Sequence, residues 1–71
     1  MQSRPTDDPV GQRVRGLRLQ HALSQFDLAA KAGVSRQALA RLELGERVRP
    51  STVRKIATAL GVQPVKLTIG P

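Results

Sequence analysis

Two short amphipathic segments fill residues 24–45, SQFDLAAKAGVSRQALARLELG, with almost no connecting residues between them. Ser24 can cap the free amides of a first helix, and Asp27 suits the positive end of that helix's dipole. Gly33 can adopt the positive φ that commonly ends a helix. We therefore predict that the first helix of this stretch stops at Ala32.

The second segment predicts a helix with one polar face. Ser35 is a second N-cap candidate directly after the turn. Projection at about 100° per residue places Ala38, Leu39 and Leu42 on an apolar stripe. The opposite face carries Gln37, Ala40, Arg41 and Leu44, with Arg36 at its edge.

Helices joined this tightly cross at a steep angle and leave one face of the second helix free, a geometry that fits the DNA major groove. Here the chain resembles the helix-turn-helix family of phage repressors and Cro, and the larger bacterial group of Xre-type regulators. The resemblance extends from about Val10 to Leu67. The residues that carry it are Gln25, Leu28, Ala29, Gly33, Val34, Leu39 and Leu42. It implies an all-α fold, a compact five-helix lambda-repressor-like DNA-binding domain with the helix-turn-helix at helices 2 and 3.

The rest of the chain is expected to form helices that support this motif, preceded by a tail. Residues 1–8 have no periodic apolar pattern and are interpreted as a flexible N-terminal tail, which leaves residues 9–71 as the helix-turn-helix DNA-binding domain. Three further helices are predicted by apolar spacing and by Pro, Ser and Gly at their ends. They are helix 1 from about Pro9 to His21, helix 4 from about Thr52 to Leu60 with Ser51 as its cap, and a short helix from Val65 to about Ile69.

The charge of the chain favours a polyanionic partner. Twelve Lys and Arg against five Asp and Glu give a formal charge of +7 and a pI near 11.7. The basic residues are spread over several segments, which favours nucleic acid over a membrane surface. One Phe and no Tyr or Trp leave little for stacking unpaired bases. Double-stranded DNA is therefore the expected partner.

The residues of the chain also disfavour several other classes of protein. The chain has no Cys and one His, so neither a disulfide framework nor a metal site is expected. No apolar run approaches the roughly 20 residues that cross a bilayer, and no secretion signal is apparent. No carboxylate pair, nucleophile–base set or phosphate loop indicates an enzyme. We expect a cytoplasmic protein of bacterial or phage origin without a cofactor.

The polar face of the second helix is the candidate reading surface. Base contacts are predicted for Arg36, Gln37, Ala40 and Arg41, because Arg can grip guanine, Gln can match adenine and Ala permits close approach. The structural alternative is a solvated helix face, which would also be polar. Phosphate contacts are predicted for Gln25, Ser35, Arg47, Arg49 and Ser51. Gln25 is also expected to brace Gln37.

The resemblance implies two further features. Arg18 and Glu43 match positions that form a structural ion pair in the family, and a partly buried Arg requires such a carboxylate. A homodimer is expected, because a single small module binds about one half-site and discriminates poorly. By resemblance, its interface includes the loop after Gly45 and the last helix. The interface residues predicted in that helix are Val65, Leu67 and Ile69.

The leading hypothesis is a sequence-specific transcriptional regulator, expected to be a repressor that binds a palindromic operator as a homodimer through residues 36–44. The alternative is an antitoxin-like or controller-type subunit that mainly binds a protein partner, a toxin or a regulator, with DNA autoregulation secondary. Leu19, Phe26 and Leu44 are apolar where the family is usually polar. Three interpretations of them stay open, namely packing on each other, support of a dimer, and simple exposure. They are also the only sequence features that favour the alternative function.

Overall fold

A computed structural model describes residues 9–64 and 67. This part of the molecule contains four helices. They are α1, Pro9–Gln20; α2, Gln25–Ala32; α3, Arg36–Glu43; and α4, Pro50–Leu60. Helix α2 packs against both α3 and α4, while α1 packs against α3 and α4. The predicted tail, residues 1–8, lies outside the described residues.

Local hydrogen bonds fix both the start of α2 and the turn between α2 and α3. Ser24 Oγ accepts from the Asp27 amide at 3.0 Å, and the Ser24 amide donates to Asp27 Oδ2 at 3.3 Å, which completes a capping box. Gly33 ends α2 at φ 73°, and its N–H reaches back to the carbonyls of Ala29 and Ala30. Ser35 then caps α3 by accepting from the Ala38 amide at 3.0 Å. The predicted stop at Ala32 and the predicted Ser35 cap are confirmed.

The core draws on all four helices and on one residue beyond them. The fully or almost fully buried apolar side chains are Val14, Leu28, Ala29, Leu39, Leu42, Ile56, Ala57, Leu60 and Leu67. Leu67 lies far along the chain from α1, yet its carbonyl accepts a hydrogen bond from Arg13 at 3.0 Å. This bond holds Leu67 against α1.

The predicted count of five helices is wrong, because the described chain contains four. The expected fifth helix, Val65 to Ile69, falls largely outside the described residues. Within the described part, the Leu67 amide donates to the Pro64 carbonyl at 2.9 Å, a hydrogen bond between residues three positions apart.

Helix α4 also begins earlier than predicted. Its N-cap is Arg49, without a side-chain cap, and Pro50 occupies the first turn, so Ser51 lies inside the helix. Proline suits this position because it lacks the N–H that the first turn leaves unpaired, and its fixed φ is already helical.

Candidate nucleic-acid interface

The outward side of α3 carries the predicted base readers. Arg36, Gln37 and Arg41 are exposed, whereas Ala40 is half-buried. The buried residues of the helix, Leu39 and Leu42, lie on its other side. The helix therefore packs its apolar face against the core and exposes polar side chains on the other face.

A buried ion pair holds this helix to α1. Arg18 Nε donates to Glu43 Oε2 at 2.7 Å, and Arg18 NH2 donates to Glu43 Oε1 at 2.9 Å. Their side chains are only 11% and 5% exposed. The hydrogen bond to Glu43 raises the pKa of Arg18, and the carboxylate charge adds to this against the opposing effect of burial. The pair predicted from the family resemblance is thus present.

Arg18 has a third contact that shapes the approach to α2. Its NH1 donates to the Leu23 carbonyl at 2.9 Å, and the Leu23 amide donates to the Arg18 carbonyl at 3.1 Å. The same bend contains Ala22 at φ 57°, a positive value for a residue with a side chain. One guanidinium therefore fixes both α3 and the entry into the helix-turn-helix.

Gln25 has different partners from the one expected. Its Nε2 donates to Glu43 Oε1 at 3.2 Å, and its Oε1 accepts from Arg36 NH1 at 3.3 Å. The expected brace to Gln37 is absent from the hydrogen bonds of the described residues. Gln25 instead joins the ion pair to the first residue of α3.

A positively charged groove lies between the start of α3, the following loop and α4. Its polar lining consists of Ser35, Arg41, Arg47, Arg49, Ser51, Thr52 and Lys55. Four of these side chains are cationic, and no acidic residue of the described chain lines the groove. Such a groove suits a row of phosphates, because both its charge and its hydroxyl groups favour anionic oxygens.

The groove unites most of the predicted phosphate contacts and adds two residues that were not predicted. Arg41, a predicted base reader, also lines it, whereas Gln25 and Ala40 line a separate hollow beside Glu43. Lys55 and Thr52 were interpreted only as parts of α4. Their positions follow from the packing of α4 against α2, and no local sequence pattern indicates them.

Of the three residues predicted at the dimer interface, the structure describes only Leu67. Leu67 is fully buried in the core of its own chain, so it has no exposed surface to offer a second copy. Val65 and Ile69 lie outside the described residues.

Three large apolar side chains are exposed on the surface. Leu19, Phe26 and Leu44 are 57%, 69% and 60% exposed.

Within residues 9–64 and 67, every helix is too short or too polar to span a bilayer. Nor does that part of the chain gather three or more His, Cys, Asp or Glu side chains in a group that could hold a metal ion.

Known sequences resemble most of this chain. A family model described as helix-turn-helix matches residues 14–67. The immunity repressor protein of Bacillus phage phi105 is 45% identical over 56 residues, which cover 76% of this chain and 38% of the repressor. The chain thus spans well under half the length of this curated relative.

Solved structures share the fold. The restriction-modification controller protein C.AhdI of Aeromonas hydrophila is 40% identical, with a TM-score of 0.77 over 83% of this chain and 91% of the controller. A hypothetical transcription factor from Neisseria, NHTF, is 27% identical, with a TM-score of 0.81 over 93% and 77% of the two chains. The SinR–SinI protein complex contains a chain 30% identical, with a TM-score of 0.75 over 82% and 58%.

Proposed function

This chain belongs to the helix-turn-helix family, and we propose that it is a sequence-specific regulator of transcription that binds double-stranded DNA through α3. The observation that carries the proposal is the exposed polar face of α3 beside a groove that four cations, and no acidic side chain of the described residues, line. The face suits base edges and the groove suits the neighbouring phosphates. The proposed role is binding alone, with no reaction catalysed.

Base edges and phosphates require different side chains. Arg36 and Arg41 can form two-pronged hydrogen bonds to guanine, and Gln37 can do so to adenine. Half-buried Ala40 leaves room for a base to approach. Ser35, Arg47, Arg49 and Ser51 set the register by holding the backbone, together with Gln25 at the start of α2.

Selection of bound duplexes from a random pool tests this proposal, followed by single-base substitution of the selected site. Gln37→Ala or Arg41→Ala should relax the preference at one position by about 1–3 kcal/mol. Arg49→Ala should weaken binding to all duplexes alike. Gln20→Ala, on the exposed end of α1, is the control and should change neither property. Equal losses on selected and random DNA for all these variants would contradict the assignment of base readers.

A homodimer on a palindromic operator completes the proposed mechanism. Small single modules bind weakly, and a two-fold pair placed on half-sites about 10–10.5 base pairs apart adds the missing affinity. Occupation of a promoter would then repress transcription, as the name of the phage phi105 relative indicates for that protein. Gel-shift titration on whole and half operators tests this. Equal affinity for both, without cooperativity, would contradict a dimer.

A second candidate is a subunit that chiefly binds another protein, like a controller or an antitoxin. The high exposure of Leu19, Phe26 and Leu44 favours it, because large apolar side chains at interfaces are shielded from water by a partner. A triple substitution to Ser should then abolish partner binding and leave DNA binding intact. A triple variant that loses DNA binding but keeps partner binding would contradict this candidate.

A further inference from the structure

The polar face of α3 has a different surface on each of its two sides. When α3 is projected at about 100° per residue, Ala38 and Arg41 lie on one side of Gln37. Ala40 and Glu43 lie on the other side. The first two residues line the positively charged groove, and the other two line the hollow beside Glu43. The groove and the hollow therefore flank the polar face from opposite sides.

A helix in the major groove of DNA has one strand on each side. The major groove is about 12 Å wide, and an α-helix with its side chains is about 10–12 Å across, so both sugar-phosphate backbones lie close to the helix. The positively charged groove of the protein offers four cations to one of these backbones. The other backbone then passes the hollow.

Arg15 is the cation that the hollow offers to a phosphate. The second cation there, Arg18, is held by Glu43 at 2.7 and 2.9 Å, so this pair adds little net charge. Arg15 is exposed and forms no hydrogen bond or ion pair with the described residues. We propose that Arg15 binds a phosphate of the strand opposite to the one that the groove holds. This inference rests on the function proposed above.

A phosphate contact by Arg15 differs physically from one by Gln25, which lines the same hollow. Both side chains can donate hydrogen bonds, but only the guanidinium is charged. A cation that neutralises a phosphate releases a counterion, whereas a neutral amide does not. The dependence of affinity on salt concentration therefore separates the two contacts.

The first test measures this dependence with the full chain and the selected duplex. Arg15→Ala should reduce the slope of log affinity against log salt concentration by about 0.9. Gln25→Ala should leave the slope nearly unchanged. Arg54→Ala controls for net charge, because Arg54 is exposed but lines neither the groove nor the hollow. Equal slopes for the Arg15 and Arg54 variants would overturn the inference. Urea denaturation confirms that each variant is folded.

The second test locates the phosphate with uncharged methylphosphonate links, placed one at a time in either strand of the selected duplex. Replacement of the phosphate that Arg15 binds should lower wild-type affinity by about tenfold to a hundredfold. The same replacement should have no effect on Arg15→Ala. The phosphate that loses its effect in Lys55→Ala should lie on the other strand of the same half-site.

Two outcomes of the second test would overturn the inference alone. They are a shared strand for the two phosphates, and full sensitivity to every replacement in the Arg15→Ala variant. A wild-type chain that has no preference among duplexes and is insensitive to every replacement would overturn the proposed function as well.

Discussion

Gly11 lets α1 approach α3 closely. A Cβ atom built at this position would lie 2.0 Å from the Leu42 carbonyl oxygen and 3.2 Å from Glu43 Cα. Both neighbours are backbone atoms, which cannot rotate away as a flexible side chain can. The close approach also brings α1 alongside the end of α3 at which Arg18 meets Glu43.

Gly11→Ala should therefore destabilise the protein by about 1–3 kcal/mol through overpacking. Gly16→Ala, in the same helix, is the matched control, since its added Cβ has no described atom within 4 Å apart from the backbone of its own helix and its chain neighbours. The control should stabilise the helix by about 0.5–1 kcal/mol, because Ala loses less backbone freedom than Gly on folding. Urea denaturation measures both changes. Equal effects of the two substitutions would contradict the close packing at Gly11.

The Arg18–Glu43 pair predicts a pattern of stability in single and double variants. Arg18→Met or Glu43→Leu alone leaves the other charge buried and unpaired, and each should cost about 3–5 kcal/mol. The double variant should be more stable than either single variant, because no unpaired charge remains. Urea denaturation of the three variants checks this order. Additive losses would show that the two side chains do not act as a pair.

The pair should keep its stabilising effect over the whole neutral range of pH as far as Arg18 is concerned. The hydrogen bond to Glu43 raises the pKa of Arg18 above that of the unfolded chain. A raised pKa stabilises the fold at every pH below the unfolded-state value, and this contribution is lost only as the pH rises through the folded-state value. Both values lie far above neutrality.

The bend between α2 and α3 depends on backbone conformation rather than on contacts. Gly33 has φ 73°, and apart from its neighbours in the chain no described atom lies within 4 Å of a Cβ added there. Gly61, which ends α4, has φ 75° and is equally free of neighbours. A side chain at either position would therefore introduce backbone strain alone.

Gly33→Ala and Gly61→Ala should each destabilise the protein by about 1–2 kcal/mol, the cost of a left-handed conformation with a Cβ atom. Gly33→Asn should cost less, because Asn tolerates this region. Thermal denaturation gives the three values. An intact stability of Gly33→Ala would show that the bend does not need positive φ.

The distribution of charge over the whole molecule determines how it should respond to salt. The net charge of +7 attracts any polyanion, but the cations of the groove, including Lys55, are gathered in one place. Arg54, the residue before Lys55, is also exposed but does not line the groove. These neighbours separate the effect of net charge from that of a local phosphate contact.

Lys55→Ala should reduce the slope of log affinity against log salt concentration by about 0.9, the change for one lost phosphate contact. Arg54→Ala removes the same charge and should leave the slope nearly unchanged. Selectivity among duplexes should stay the same in both variants, since phosphates carry no sequence information. Fluorescence anisotropy between low and moderate salt measures the slopes. Equal slopes for the two variants would contradict a phosphate site at Lys55.

The helix-turn-helix itself was predictable from local residues. Ser24, Gly33 and Ser35 act on amides and dihedral angles within a few positions of themselves, so their effects follow from nearest neighbours. Apolar spacing likewise predicted the buried side of α3. The partnership of Arg18 with Glu43 came from family resemblance, because no local pattern pairs residues 25 positions apart.

Contacts between distant parts of the chain settled the remaining features. Gly11 against Leu42, Gln25 between Glu43 and Arg36, and Lys55 in the groove all depend on how the helices cross. The sequence also predicted a fifth helix near the C-terminus, whereas the described residues form four helices and bury Leu67 in the core beyond α4. Local preferences act over about one helical turn, so they specify where helices bend and end. Packing of whole helices brings side chains from separate elements together, and only the folded chain contains that information.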